Sequence, residues 1–247
     1  SYANIPYWVA RTNDKIVATL HTRLQQALKD WSDDFQDQAL SAVKEAGIPN
    51  IETFNHNVVM QNQTIQLDPP LEDARAGWLR NLQEWLATVC DLPRVQASRF
   101  ESALTVGGHQ SSTTYAELPA MCMESLTALY EIIEAKIGVA QTYVDEWLQF
   151  QSLWDLQLEQ VQDDLGEDLE LWLQLIQELR QKRETFDTSG MHRSFGHLVI
   201  NYEQVQAKVN AKYDQWQHEL LGHFASLFAN RIIDVYAELQ KSRKDLE

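Results

Sequence analysis

The sequence contains little of what marks a secreted, membrane-spanning or disulfide-rich protein. It has only 2 cysteines, 6 prolines and 9 glycines in 247 residues. Cys90 and Cys122 cannot form a disulfide framework, and the apolar helical context of each is typical of a buried free thiol in a reducing compartment. No apolar run approaches the length of about 18 residues that a membrane span requires, and no secretory signal pattern opens the chain. We therefore expect a soluble protein of the cytoplasm.

Basic residues are also scarce. The chain has 20 lysines and arginines against 36 aspartates and glutamates, which gives a formal net charge of -16. A field of this sign repels phosphate backbones and anionic lipid surfaces, so we expect neither nucleic-acid nor membrane binding. The same repulsion weighs against direct contact with any other strongly acidic surface.

Recognisable catalytic motifs are missing as well. The sequence has no Gly-x-Ser-x-Gly elbow and no dinucleotide fingerprint, and the glycines at 107-108 are not followed by the Gly-Lys-Ser/Thr of a phosphate-binding loop. Acid pairs at 163-164 and 167-168 flank a predicted helix break, where solvated capping residues are far more common than an acid-base pair. We therefore predict no catalytic residues and no cofactor.

One pair of histidines invites comparison with a zinc protease motif. His218 and His223 lie five residues apart, whereas the protease motif places its histidines four apart on one helix face. Five residues correspond to about 140° around an α-helix, so one ion cannot be reached by both rings. We predict ordinary helix-surface residues and no metal site.

The strongest pattern is an apolar stripe with helical spacing in the middle of the chain. Its members recur at steps of three and four, which line one face of an α-helix; they are Tyr143, Trp147, Phe150, Trp154, Leu158, Val161 and Leu165. Core packing is the favoured interpretation of the stripe tryptophans, and ligand or partner binding is the alternative. The predicted structural core residues of this half of the chain are Trp147, Phe150, Trp154, Trp172, Trp216 and Phe224.

The same spacing predicts long helices along most of the chain. The first ends near Ala46, a second runs from Pro70 to Pro93, and a short one extends from Arg94 to about Leu104. One continuous helix is predicted from Pro119 to Leu165, with a break at Gly166. A further helix follows this break, and a connector with a short extended tail at 198-200 leads to the last helix. Asn201 caps that helix, and its predicted buried edge includes Val235 and Leu239.

One segment has the two-residue period of strands. Short β-favouring runs on either side of 61-63 predict a small β-hairpin near residues 56-67. The expected fold is therefore mainly α, with elongated antiparallel bundles of long helices and one small hairpin. We expect an N-terminal part over 1-110 and a long-helix bundle over 111-247. The last helical pattern is still running at Leu246, so we expect a piece of a longer chain.

Several stretches resemble the tail of cytoplasmic dynein heavy chains, just before the linker that leads into the motor. They occur in the family's order over most of residues 55-247, and two of them contain helix breaks, where periodicity predicts nothing. The stretches are IQLDPPLEDAR at 65-75, LPRVQASRF at 92-100, WLQFQSLWDL at 147-156, LGEDLELW at 165-172 and GHLVINYEQVQAKVNAKYDQWQHELLGHF at 196-224.

This resemblance implies a structural role in a minus-end-directed microtubule motor. The segment would be a rigid helical connector between the subunit-binding tail and the motor, associated with the cytoskeleton but without its own microtubule contact. Implied partners are other tail segments, the intermediate or light-intermediate chains, and the sister heavy chain. The alternative function is a docking surface for an accessory chain or the sister heavy chain, which exposed faces of Trp31, Trp78 or Trp85 would favour.

Overall fold

A computed structural model describes residues 4-36, 51-96, 113-186 and 189-246 of the chain. The structure is predominantly α-helical, as predicted. Its helices are α1 (Ile5–Gln36), α2 (Leu71–Cys90), α3 (Leu118–Met121), α4 (Met123–Leu148), α5 (Ser152–Asp155), α6 (Leu158–Leu165), α7 (Leu169–Thr185) and α8 (Glu203–Leu246). The predicted end of the first helix near Ala46 and most of the predicted helix from Arg94 to Leu104 lie outside the described residues.

The predicted hairpin is confirmed. Strands β1 (Phe54–Gln61) and β2 (Thr64–Asp68) are antiparallel, and Gln61 pairs with Thr64. Asn62 and Gln63 form the turn with φ angles of 51° and 63°, the left-handed conformation that a tight two-residue hairpin turn requires at both positions. The connection is one residue shorter than predicted, because Gln61 takes part in the ladder.

Two further strands join this hairpin. β3 (His192–Ser194) and β4 (Leu198–Asn201) complete a four-stranded sheet in the order β2-β1-β4-β3. Strand β4 coincides with the extended tail predicted at 198-200, whereas β3 and the pairing of both strands with the hairpin were not predicted. The expectation of a lone hairpin is therefore corrected. An isolated hairpin is marginally stable in water and leaves its edges unpaired. Leu198 and Ile200 are fully buried. Their segment is too short for its sequence to indicate a partner far away in the chain.

The chain folds into two compact units, each assembled from separate stretches. Unit 1 contains Ser1–His56, Pro69–Gln141 and Ser194–Val199, and unit 2 contains Asn57–Asp68, Thr142–Arg193 and Ile200–Glu247. The predicted division between residues 110 and 111 falls outside the described residues.

The core of unit 1 is built around aromatic rings from α1 and α2. Trp31 stacks on Phe35 with ring centroids 4.9 Å apart, and Trp78 meets Phe35 edge-on at 4.8 Å. The indole nitrogen of Trp78 donates to the backbone oxygen of Glu52 at 2.8 Å, which satisfies the one polar atom of a fully buried side chain. Beside this cluster, the ring of Phe54 lies over Gly77, where a Cβ atom would come within 2.2 Å of it.

The prediction of one continuous helix from Pro119 to Leu165 is wrong. Helix α4 ends at Leu148, and a 3-10 turn, the short helix α5 and an extended pair at 156-157 precede α6. Within unit 2 the side chain of Gln151 accepts from the backbone N–H of Ile65 at 2.9 Å and donates to the backbone oxygen of Gln63 at 2.6 Å. These bonds hold the break in place. Apolar residues keep their helical spacing across it, so periodicity alone does not reveal it.

The predicted break at Gly166 is confirmed. Gly166 has a φ of 52° at the end of α6, a conformation that favours glycine. Asp168 then caps α7, because its carboxylate accepts from the backbone N–H groups of Glu170 at 2.9 Å and Leu171 at 3.3 Å.

Candidate interaction surface

The helix pair α7 and α8, the aromatic cluster and the groove described first lie in unit 2. Helix α7 packs antiparallel along the first half of α8, since Trp172 lies against His223 with ring centroids 4.5 Å apart and Arg183 Nε lies 3.2 Å from Asp214 Oδ1. Trp172 is fully buried, and its indole nitrogen donates to the backbone oxygen of Gly166 at 2.9 Å. The contacts of Trp172 with His223 and Gly166 thus fix both the start of α7 and the middle of α8.

The predicted core residues occupy two kinds of position. Trp147, Trp172 and Trp216 are buried, whereas Phe150, Trp154 and Phe224 are half-buried. Trp216 also has its indole nitrogen satisfied, by the backbone oxygen of Leu153 at 2.7 Å. That bond ties α8 to the short helix α5 across the segment where the central stripe is interrupted.

An aromatic cluster joins the end of α4 to the start of α8. Trp147 lies 5.1 Å from Tyr202 between ring centroids, Phe150 lies 5.0 Å from Phe186, and Phe186 lies 6.2 Å from Tyr213. Burial raises the pKa of the Tyr213 hydroxyl, and the positive charge of Arg183 opposes this shift. Phe186 and Tyr213 belong to the cluster but were not among the predicted core residues.

A groove of about 310 Å³ opens beside this cluster. Its floor is largely apolar, and Glu178 and Lys182 are among its lining residues. It contains no histidine, no cysteine and no second carboxylate, so its described lining offers an apolar contact surface rather than an acid-base pair or a metal site.

The second half of α8 is exposed. Buried positions of this helix end at Leu220 among the described residues. Beyond Phe224 the apolar side chains are largely accessible to solvent, and the most exposed are Ile233, Tyr236, Leu239 and Leu246. The prediction that Val235 and Leu239 lie on a buried edge is therefore wrong, because their exposed fractions are 44% and 64%. Helix α7 begins opposite His223, so α8 extends past the start of the helix that covers its first half.

The three tryptophans whose exposure would favour a docking surface are mostly covered. Trp31 and Trp78 are fully buried and Trp85 is half-buried. Trp8, near the start of α1, is 58% exposed. Exposed apolar surface is therefore found at the start of α1 and along the second half of α8, and not at Trp31 or Trp78.

The polar residues that the sequence analysis considered do not converge. His218 is exposed, whereas His223 is half-buried against Trp172 with Nδ1 3.2 Å from Nε2 of Gln162. Asp163 and Asp164 are exposed on α6. Over the described ranges, no group of three or more histidine, cysteine or acidic side chains is placed to hold a metal ion.

The two cysteines are free and buried, as predicted. Burial raises the pKa of the Cys90 thiol, and the negative charges of Asp91 and Glu117 add to the shift; burial also raises the pKa of Cys122. Both thiols therefore stay protonated at neutral pH. None of the described helices is long and apolar enough to cross a membrane.

These features define a helical packing module whose accessible chemistry is apolar contact. No protein-family profile matches the chain. Over its whole length it is 47% identical to the cytoplasmic dynein heavy chain of Neurospora crassa, 35% identical to that of Drosophila melanogaster and 34% identical to that of Dictyostelium discoideum. The chain spans about 6% of the length of each of these relatives. Over the segment it covers, the chain belongs with the cytoplasmic dynein heavy chains.

Proposed function

We propose that this chain is a structural segment of the tail of a cytoplasmic dynein heavy chain, immediately before the linker and motor. Its role is that of a rigid helical connector between the subunit-binding tail and the motor, and it catalyses no reaction itself. The observation that carries this proposal is α8, a single helix of 44 residues. At a rise of 1.5 Å per residue such a helix is about 66 Å long.

A connector must resist bending and rotation at its anchored end. The first half of α8 meets this need, because Val205, Val209 and Leu220 are buried and Trp216 is bonded to the backbone of Leu153. Buried aromatic residues contribute large contact areas, and their few rotatable bonds limit the entropy lost on packing. A load applied along α8 would therefore reach α5 and α7 through packed side chains.

The chemistry of the parent protein is proposed to lie outside this segment. The net charge of -16 opposes contact with the acidic surface of a microtubule, and the apolar groove of unit 2 lacks an acid-base pair. We therefore assign ATP hydrolysis and microtubule binding to other parts of a cytoplasmic, cytoskeleton-associated heavy chain.

A second candidate function is a docking surface. The exposed apolar face on the second half of α8 favours it, since contiguous exposed apolar surface marks interaction sites. The partner classes are the intermediate or light-intermediate chains and the sister heavy chain.

The connector proposal is tested by measuring the length and stiffness of α8 directly. Spin labels are attached in an Ala211→Cys/Ala237→Cys variant, because both positions are exposed whereas Cys90 and Cys122 are buried. A rigid helix predicts a narrow distribution of distances between the two Cα positions centred near about 39 Å. A variant with a glycine-serine insertion after Ala229 provides the flexible control. A native distribution as broad as that of the control would contradict the proposal.

A further inference from the structure

Basic residues are scarce in this chain, but three of them lie close together at the end of α7. They are Arg180, Lys182 and Arg183. Thr185 follows as the last residue of the helix. Cationic side chains therefore stand three and two positions before a hydroxyl group, and the aromatic ring of Phe186 stands one position after it. No other serine or threonine in the sequence has basic residues at both of those positions.

This order of residues fits the substrate pattern of a basophilic serine/threonine kinase. Kinases discriminate between substrates by charge pattern, and an enzyme with carboxylates in its substrate groove attracts cations placed shortly before the hydroxyl. An apolar side chain directly after the hydroxyl adds a contact that removes apolar surface from water. Because the whole chain has a net charge of -16, most of its surface repels an acidic groove, whereas the basic end of α7 attracts one.

The hydroxyl of Thr185 is placed where an enzyme can reach it. The residue is exposed, and its Oγ1 donates to the backbone oxygens of Gln181 and Lys182, both at 3.1 Å. Both bonds belong to the last turn of α7, and helix ends open at little cost in free energy. The ion pair of Arg183 with Asp214 also lies at the surface, so it resists this opening only weakly. The last turn therefore becomes accessible to a kinase without unfolding of the rest of α7.

Thr185 also adjoins the aromatic cluster of unit 2. The ring centroid of Phe186, the next residue, lies 5.0 Å from that of Phe150 and 6.2 Å from that of Tyr213. Phe186 is half-buried, and it lines the groove together with Thr185. A change of backbone conformation at the end of α7 therefore moves Phe186 relative to the cluster.

A phosphate group on Thr185 opposes the helical conformation of the last turn. It adds about two negative charges at pH 7 at the negative end of the helix dipole, next to the carboxylate of Glu184. The esterified oxygen carries no proton, so both of its bonds to helix carbonyl oxygens are lost. The phosphate also competes with Asp214 for the guanidinium of Arg183, whose Nε lies 3.2 Å from Asp214 Oδ1. Each of these effects favours opening of the turn.

We propose that Thr185 is a phosphorylation site for a basophilic serine/threonine kinase, and that the phosphate releases Phe186 from the aromatic cluster. In the reaction, the bond between the γ-phosphorus of ATP and its bridging oxygen breaks, and a bond from that phosphorus to Oγ1 forms. The hydroxyl proton passes to a base of the kinase, and ADP leaves. The inference goes beyond the connector role, since it gives unit 2 a point of control at the end of α7.

The site is tested by treating the whole 247-residue chain with a purified kinase of this class, magnesium and ATP, followed by intact-mass and fragmentation analysis. We expect about one phosphate per chain, at Thr185, and none in Thr185→Val. Lys182→Gln should lower kcat/KM for the transfer about tenfold, because it removes the cation three positions before the hydroxyl. Arg180→Gln is the matched control, because it removes a charge of the same helix outside the pattern and should change kcat/KM less than about twofold.

The release of Phe186 is tested on the same chain before and after the reaction. Backbone amides at the end of α7 should exchange hydrogen about tenfold faster when Thr185 is phosphorylated. Overhauser contacts between the rings of Phe186 and Phe150 should disappear. Amides around Trp172, near the start of the helix, should be unchanged, and the Thr185→Val chain treated in the same way should show no difference at either end.

Absence of phosphate at Thr185 would overturn the site, and a synthetic peptide of residues 178-189 that is modified when the chain is not would assign that failure to the fold. Unchanged exchange and ring contacts in the phosphorylated chain would overturn the release of Phe186. The spin-label distances along α8 are measured without kinase, so failure of this inference and failure of the connector proposal remain distinguishable.

Discussion

The first half of α8, Glu203–Phe224, and the second half, Ala225–Leu246, continue one helix with the same spacing of apolar residues. In the first half these residues are buried against α5 and α7, and in the second half they face solvent. An amphipathic stripe therefore identifies a surface that favours burial, but it does not identify what buries it. The difference between the halves also separates two tasks, since the first provides an anchor and the second provides surface for a partner.

The largest expected difference between the two halves is the loss of stability when the buried Trp216 is truncated. Trp216→Ala should lower the free energy of unfolding by about 3–5 kcal/mol, because it removes a buried indole and its bond to Leu153. Tyr236→Ala, at an exposed position of the second half, should change it by no more than about 0.5 kcal/mol. Urea unfolding in dilute solution, followed by circular dichroism, measures both. Equal losses would show that the two halves are stabilised alike.

A matched pair of leucines sharpens the comparison. Leu220 is 1% exposed and Leu239 is 64% exposed, and both lie on α8. Leu220→Ala should cost about 2–5 kcal/mol of unfolding free energy, because it leaves a cavity. Leu239→Ala should cost no more than about 0.5 kcal/mol, because its side chain already lies largely in solvent. A stability loss at Leu239 equal to that at Leu220 would mean that the second half is covered within one chain.

Gly222 lies where the two halves meet, and a Cβ atom there would meet no atom within 4 Å. Gly222→Ala should therefore stabilise the chain by about 0.5–1 kcal/mol, since alanine is the better helix former. Gly77→Ala is the contrasting control, because its Cβ would come within 2.2 Å of the Phe54 ring. That substitution should destabilise by about 1–3 kcal/mol despite the same gain in helix propensity. The midpoints of thermal unfolding of both variants test these two predictions. A loss of stability in Gly222→Ala would argue that the junction is bent.

The smallest expected effect is the titration of Tyr213 in the first half. Burial raises the pKa of its hydroxyl, so the folded chain holds this proton more tightly than the unfolded chain. The resulting stabilisation is fully present below the ordinary tyrosine pKa of about 10 and is lost as pH rises through the raised value. Burial also raises the pKa of Tyr143, so ultraviolet titration should show more than one late tyrosinate signal, of which Tyr213→Phe removes one. An unchanged titration curve in that variant would refute the assignment.

Several local features could be predicted from the sequence, because they depend on interactions over only a few residues. Gly166 ends α6 and Asp168 caps α7, because a left-handed residue and a carboxylate acceptor meet needs of the adjacent backbone. The hairpin likewise followed from alternating β-favouring residues on either side of a polar turn. Helical class followed from the three- and four-residue spacing that dominates the chain.

Features that depend on contacts between residues far apart in the chain could not be predicted from the sequence. The break between Leu148 and Leu158 is held by bonds from Gln151 to the hairpin and from Trp216 to Leu153, and the sequence on either side keeps a helical period. The addition of β3 and β4 to the sheet depends in the same way on residues far apart in the chain.

The sequence by itself determined the helical class, the places where glycine and a capping aspartate end or start a helix, and the apolar spacing along the helices. These properties depend on backbone hydrogen bonding and side-chain geometry within about one turn. Only the tertiary structure decided that the apolar side of α8 is covered up to Leu220 and open from Phe228 onward. Burial requires a second surface at the same place, and the position of α7 is set by packing over the whole of unit 2.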